Sequence, residues 1–254
     1  PFRSNIKIID NKIFLSNQDN TIYCLDKHSG DKIWTFATSL THLKSNFINN
    51  VSIDQNNNSV IFLNTSGELY SINYLSRKIN WFLNTKQSIS STDPELFSSS
   101  TPVIGKTSIV FSRGSSIFNF DSSSGSTIWK KKIPTQTKTI LNKNNVFLLT
   151  KNNFLVCLNL NTGQILWSKN IFNQIKTLKE KKSFTKIKKI LNLVIANDQI
   201  LLFSSEGYLL SFDYRTGLID SIEKILKPGL KVGPVFANGS MYFFDKNYRI
   251  LKYE

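Results

Sequence analysis

Two histidines and two cysteines are the side chains of this chain best suited to hold a soft metal ion, and their placement argues against one. His28 falls in an expected turn and His42 in an expected loop, and neither stands at ligand spacing from Cys24 or Cys157. Solvent exposure is the expectation for both histidines. The cysteines sit in the equivalent phrases YCLD and VCLN, three repeats apart, which is too far for a disulfide if the repeats form a ring. Both read as small buried apolar residues.

Nucleophile and phosphate chemistry fare no better. Gly105-Lys106-Thr107 imitates the end of a phosphate-binding loop, but Ser100 stands where the earlier Gly is required and Pro102 interrupts the run. It reads as a hairpin turn. The serine-rich phrases SSST and DSSSGS show no nucleophile elbow and no histidine partner. The chemistry left is charge: 32 Lys and Arg stand against 17 Asp and Glu, a formal net charge of +15 with pI ≈ 9.7. Within KTLKEKKSFTKIKK, residues 176–189, seven lysines face one glutamate. The plain reading is a solvated basic loop. The functional one is a patch that attracts an acidic protein surface or anionic lipid headgroups, with Lys181, Lys182, Lys188 and Lys189 as its candidates. Phe184 is the only aromatic in the run, so the alternation of stacking rings and cations that marks single-strand binders is missing and no nucleic acid is expected.

The elements that would carry such loops are legible as a repeat. Four phrases end on tryptophan: LDKHSGDKIW at Trp34, INYLSRKINW at Trp81, FDSSSGSTIW at Trp129 and LNLNTGQILW at Trp167. A fifth, FDYRTGLIDS, carries Ser221 instead. Each follows a hairpin whose first strand is an apolar run (KIFLS, VIFLN, SIVFS, NVFLL, QILLF, MYFFD) and whose second ends on Asp or Asn in five of six copies. Gly30, Gly125, Gly163 and Gly217 stand four residues past that Asp or Asn, where a tight turn needs a positive φ. In the second copy Arg77 takes the place, so that turn is expected to be built differently or to carry strain. The tryptophans are read as covers over the gap between neighbouring sheets.

The expected fold is therefore all-β, a propeller of four-stranded antiparallel blades, with about six units near 1–38, 51–85, 101–134, 137–171, 191–225 and 232–254 in a single domain. The long links, 39–50, 86–100 and 172–190, are expected to be loops and to hold partner contacts. No helix is needed, and no stretch is apolar enough to span a membrane. The sixth unit stops on its third strand, and a strand from elsewhere is expected to finish it. The chain opens on Pro1 without a Met, which reads as a fragment or processed form.

The L-D-x-x-x-G-x-x-x-W pattern resembles the quinoprotein-type (PQQ-like) propeller repeat. More narrowly, PFRSNIKIIDNKIFLSNQDNTIYCLD, SGELYSIN, SSSTPVI, SEGYLLSFDYRTGLI and GPVFANGSMYFFDKNYRILKY resemble the BamB family of outer-membrane β-barrel assembly lipoproteins, especially its alphaproteobacterial members. The resemblance implies an eight-bladed parent and a periplasmic position at the outer membrane through a lipid anchor that this chain lacks. It also implies a noncatalytic scaffold that binds the periplasmic repeats of the central barrel-insertion protein and needs no cofactor. Family members contact that partner through a basic residue after one blade and an aspartate pair before a Thr-Pro. The matching segments here are HLKSNFINN, with Lys44 and Phe47, and LFSSSTP, where Phe97 and Ser99 stand in place of the aspartates. The rival is a quinone-dependent dehydrogenase-like propeller. Such enzymes carry adjacent cysteines and acidic calcium ligands, whereas this chain has no adjacent cysteines and spends its repeat aspartates in turns.

Overall fold

A computed structural model describes residues 2, 4–39, 49–85, 99–177 and 187–253. The chain divides into two compact units, Pro1–Pro134 and Thr135–Glu254. The first unit holds three antiparallel four-stranded sheets. Its first sheet is β1 (Lys7–Ile9), β2 (Lys12–Ser16), β3 (Thr21–Asp26) and β4 (Lys32–Ala37). The second is β5 (Asn50–Asp54), β6 (Ser59–Leu63), β7 (Glu68–Asn73) and β8 (Ile79–Asn84). The third is β9 (Val103–Ile104), β10 (Ser108–Arg113), β11 (Ser116–Asp121) and β12 (Thr127–Lys131).

The second unit repeats the plan. Its sheets are β13 (Ile140–Asn142), β14 (Asn145–Leu149), β15 (Phe154–Asn159) and β16 (Ile165–Asn170), then β17 (Ile190–Ala196), β18 (Gln199–Ser204), β19 (Tyr208–Asp213) and β20 (Ile219–Lys224). The last is three-stranded among the described residues: β21 (Val235–Ala237), β22 (Ser240–Phe244) and β23 (Ile250–Tyr253). The fold is thus all-β, with six sheets of the propeller-blade type among the described residues, each wound in sequence order.

The second and third strands of the sheets carry most of the core, and in the second sheet β6 and β7 are buried almost throughout because neighbouring sheets pack on both their faces, which is why β6 reads as a continuous apolar run instead of an alternating one. Val60, Phe62 and Ile72 pack with Phe14, Ile22 and Cys24 between the first two sheets. Ile61, Leu63 and Leu69 face Phe111, Phe118 and Phe120 between the second and third. In the second unit Phe147 and Leu155 pack against Leu202 and Phe212, and Phe203 packs against Phe243.

Each outer pair of strands is built to one rule. The residue opposite each Trp is small: Cys24 faces Trp34, Ser71 faces Trp81, Asn119 faces Trp129 and Cys157 faces Trp167. In all of them the register shifts by one residue immediately before the Trp of the fourth strand, a bulge at Ile33, Asn80, Ile128 and Leu166. In the fifth sheet Ser221 faces Ser211, and their hydroxyls lie 2.8 Å apart, a small polar pair where the others place a ring. The two cysteines are buried and free, and burial pushes each thiol up to about 11.

The turn between third and fourth strands is closed by its Asp or Asn. Asp26 accepts from the His28 and Ser29 amides, and the Gly30 amide donates to the Asp26 carbonyl at 3.0 Å. The Arg77 turn is the same turn, with Asn73 accepting from Leu75 and Ser76 and the Arg77 amide donating at 2.8 Å. Arg77 holds φ +63 there, so of the two expectations strain is the one realised.

One expectation is overturned. The link after β16 begins with a helix, α1 (Ile171–Thr177), not a loop. Asn170 caps it by accepting from the Asn173 amide, and Ile171 and Ile175, four residues apart, are its buried positions. The Gln174 amide ties it to the Gly217 carbonyl and the Ile219 amide, so α1 lies against β20.

Candidate partner-docking face

Because every sheet alternates up and down, the hairpin tips between second and third strands share one end of each sheet with the links that join successive sheets. The other end carries the Asp-closed turns. The tips are capped from the strand that enters them: the Asn17 side chain accepts from the Asp19 and Thr21 amides, and Asn64 accepts from Ser66 and Glu68. Thr150 and Ser204 cap Phe154 and Tyr208, and Asp245 caps Asn247 and Arg249. The signal for these caps is an Asn, Ser, Thr or Asp at the last position before each of these tips.

In the first unit the link roots are fastened to these tips. Ser39 donates to Glu68 Oε1 at 2.8 Å, while Asn64 at 2.7 Å and Tyr70 at 3.2 Å donate to Oε2. Three donors satisfy a carboxylate that is only 9% exposed. Ser99, a predicted contact, is half-buried, bridges to Arg113 and accepts from Asn50 Nδ2 at 3.1 Å. Thr101 donates to Asn50 Oδ1 at 2.9 Å and Ser52 to the Pro102 carbonyl at 2.6 Å, so the returning link is strapped onto β5. Arg113 lies over the Gly67 tip and donates to Thr85 Oγ1 at 2.6 Å, where the link beyond β8 departs.

The other predicted contacts divide. Lys188 and Lys189 are exposed beside the tip of the fifth sheet: the Lys188 amide donates to Glu206 Oε2 at 3.0 Å, and the Lys189 carbonyl accepts from Ser205 at 2.8 Å. Burial alone would raise the Glu206 carboxyl, but the Ser205 hydroxyl and the Lys188 amide hold it below the usual range. Lys44, Phe47, Phe97, Lys181 and Lys182 lie outside the described residues, as does His42.

At the opposite end the structural residues fall together. The Gly125 turn of the third sheet lies against the Trp81 indole of the second, and a Cβ there would come within 2.8 Å of the ring. Trp81 Nε1 donates to the neighbouring Ser122 carbonyl at 3.0 Å. Gly217 meets Trp167 in the same way, a Cβ falling 2.5 Å from the ring. Trp34 packs on Phe14 and with Tyr74, but its Nε1 has no acceptor among the described residues. Trp81 and Trp167 thus each lie against the glycine turn of the following sheet. Gly30 and Gly163 hold φ +77 and +67 in their own turns, and Trp129 is buried in the third sheet.

The acidic residues have specific tasks. Asp121 accepts from the Ser123 hydroxyl and the Ser124 amide, and Asp213 from the Thr216 hydroxyl and amide, which hold both carboxyls below the usual range. Buried Asp54 caps the turn after β5, and buried Asp245 is gripped by Arg249 at 2.9 Å. Among the described residues no three His, Cys, Asp or Glu side chains converge, and Gly105 closes the hairpin between β9 and β10. The chain has no adjacent cysteines, and among the described residues no acidic ligand set converges, so these residues do not fit a quinone group.

Comparison with known proteins fits this geometry. The family model of outer membrane protein assembly factor BamB matches residues 1–169. The chain belongs to the BamB family. Among solved structures it resembles BamB from Moraxella catarrhalis, with 17% identity and a TM-score of 0.69, covering 97% of this chain and 67% of that one. It also resembles a quinohemoprotein alcohol dehydrogenase from Pseudomonas putida HK5, with 13% identity and a TM-score of 0.61 over 88% of this chain and 42% of that one. The computationally designed Ika8 protein gives 11% identity and a TM-score of 0.62, with 99% and 83% covered. At such identities these likenesses speak for the PQQ-like propeller fold alone. Among curated proteins none matches. No helix among the described residues is long and apolar enough to cross a membrane.

Proposed function

We propose that this BamB-family chain is a noncatalytic periplasmic scaffold of the machinery that assembles outer-membrane β-barrel proteins. Its hairpin tips and links dock the periplasmic repeats of the central barrel-insertion protein. The family match over residues 1–169 carries the reading. What supports the docking end is the contrast between the two ends of each sheet. The Asp-closed turns are short and self-satisfied, whereas the link roots at Ser39, Thr85 and Ser99 are rigidly fastened and lead into long segments that differ from sheet to sheet. Rigid roots lower the entropic cost of presenting a loop to a partner. The family extends the reading to an eight-bladed parent and to a position at the periplasmic face of the outer membrane.

The dehydrogenase-like fold neighbour motivates the second reading, a quinone-dependent enzyme. Aspartates committed to turn closure speak against it. Affinity capture of the full-length protein from envelopes separates the two. Recovery of the barrel-insertion machinery supports the scaffold, and quinone-dependent dye reduction without such partners overturns it.

A further inference from the structure

Five exposed lysines from three distant stretches meet at the tips of the second unit. Residues 187–189, the tip of the fifth sheet, the link 225–231 and the tip of the last sheet are joined by backbone hydrogen bonds into one platform. Ser205 donates to the Lys189 carbonyl at 2.8 Å and Leu230 to the Ser205 carbonyl at 3.0 Å. Lys246 donates to the Gly229 carbonyl at 3.1 Å and Lys231 to that of Phe244 at 3.0 Å. Gly207 and Gly229 are packed so closely, against the Leu226 and Ser205 carbonyls, that neither accepts a Cβ. The platform is stiff, and it holds Lys188, Lys189, Lys227, Lys231 and Lys246 at exposed positions.

Its acidic groups are already engaged. Glu206 is held by the Ser205 hydroxyl and the Lys188 amide, and Asp245 is fully buried beneath Arg249. Glu223, on the adjoining β20, accepts from Ser221 at 3.4 Å.

At the edge of the platform one residue breaks a local rule. The apex of a capped tip requires a positive φ, and Asn20, Gly67, Asn153 and Gly207 supply it with side chains suited to that conformation. In the last sheet the apex residue is Tyr248, at φ +63. It is 70% exposed, so burial returns little for the strain. The Lys231 ammonium stands 3.5 Å from its ring centroid, and exposed Val232 follows Lys231.

The geometry points to a membrane-contact patch, in which Lys188, Lys189, Lys227, Lys231 and Lys246 face anionic phospholipid headgroups and Tyr248 enters the interfacial layer. With Arg249 of the same tip committed to Asp245, the patch's remaining cations are lysines, point charges suited to a diffuse phosphate surface, not to fixed carboxylates that reward bidentate pairing. An aromatic ring at a projecting tip, apolar in body and polar at its hydroxyl, suits the headgroup depth. The patch deepens the scaffold reading by giving the protein a second contact with the membrane. Because purified protein suffices to test it, its failure is separate from failure of partner capture.

The test is flotation of the full-length protein, prepared without N-terminal acylation, with phosphatidylethanolamine vesicles containing phosphatidylglycerol, against phosphatidylcholine vesicles alone. Binding is expected only to the anionic vesicles, and raised salt should abolish it. Neutralising Lys227, Lys231 and Lys246 together as glutamines should weaken it roughly a hundredfold, about fivefold per lysine. Tyr248→Gly should weaken vesicle binding several-fold while raising the denaturant midpoint, a pairing of signs that a purely structural residue does not produce. Equal binding to both vesicle types overturns the proposal. So does an unaltered triple variant, or lysines needed only for capture of an acidic protein. Should the triple variant misfold, the salt titration and Tyr248→Gly still decide.

Discussion

Replacing Gly125 with alanine isolates what the repeated glycine and tryptophan do for each other. Two effects act at that position. The turn holds φ +74, where a Cβ costs about 1 kcal/mol. The new methyl would also fall 2.8 and 2.9 Å from Trp81 Cδ2 and Cε3, closer than real contacts allow. The indole has nowhere easy to go, being 9% exposed and tied to the Ser122 carbonyl at 3.0 Å. Overpacking of this kind costs ~1–3 kcal/mol, so Gly125→Ala should cost ~2–4 kcal/mol in all. Gly30→Ala is the internal control, because Gly30 holds φ +77 with nothing within 4 Å of a Cβ. It should cost only the backbone share, about 1 kcal/mol. Urea titrations followed by far-ultraviolet circular dichroism give both values, with an unchanged m licensing the comparison. In a Trp81→Leu background the two alanine substitutions should cost the same. Equal costs in the native background, or an excess that survives removal of the indole, would refute the idea that the Trp seals against the neighbouring turn.

Three further outcomes follow from the same geometry. Trp81→Phe should destabilise more than Trp34→Phe by about 1 kcal/mol in parallel urea titrations, because only the Trp81 indole N–H has a hydrogen bond to lose. Arg77→Gly should stabilise by about 1 kcal/mol by the same measurement, since it relieves a left-handed non-glycine residue in an otherwise unchanged turn. The Asp26, Asp121 and Asp213 carboxyls are all held below their ordinary value by turn amides and hydroxyls. Their contribution is therefore present above about pH 4, the unfolded value, and lost as pH falls through the folded values. Melting temperatures should drop on that acid limb, and Asp→Asn at the three positions should flatten it, as asparagine already serves at Asn73 and Asn159.

The repeat was legible because its signals are local. The apolar second strand, the Asp or Asn, the Gly and the Trp lie within a short window, and each has a separate physical reason to be there. Arg77 shows the limit of residue type as a signal: the Asn73 cap suffices to build the turn and the backbone absorbs the strain. The pairing of Cys24 and Cys157 with the tryptophans depends on register across the strand pair, which sequence spacing does not state. The helix α1 is not legible in the sequence because only Ile171 and Ile175 mark its buried side before the basic run begins. The basic platform could not be read as one patch, since Lys188, Lys227 and Lys246 come from separate segments that only the hydrogen-bonded tips bring together.

The docking end of the sheets can be tested within a single sheet. A photo-crosslinking residue at Ser99 sits at a link root paired to Arg113, while one at Ser123 sits in the Asp121-closed turn at the other end of the same sheet. In intact envelopes the account predicts a crosslink from position 99 to the barrel-insertion protein and none from position 123. A crosslink from position 123 alone, or silence at 99 with the protein correctly located, would contradict it.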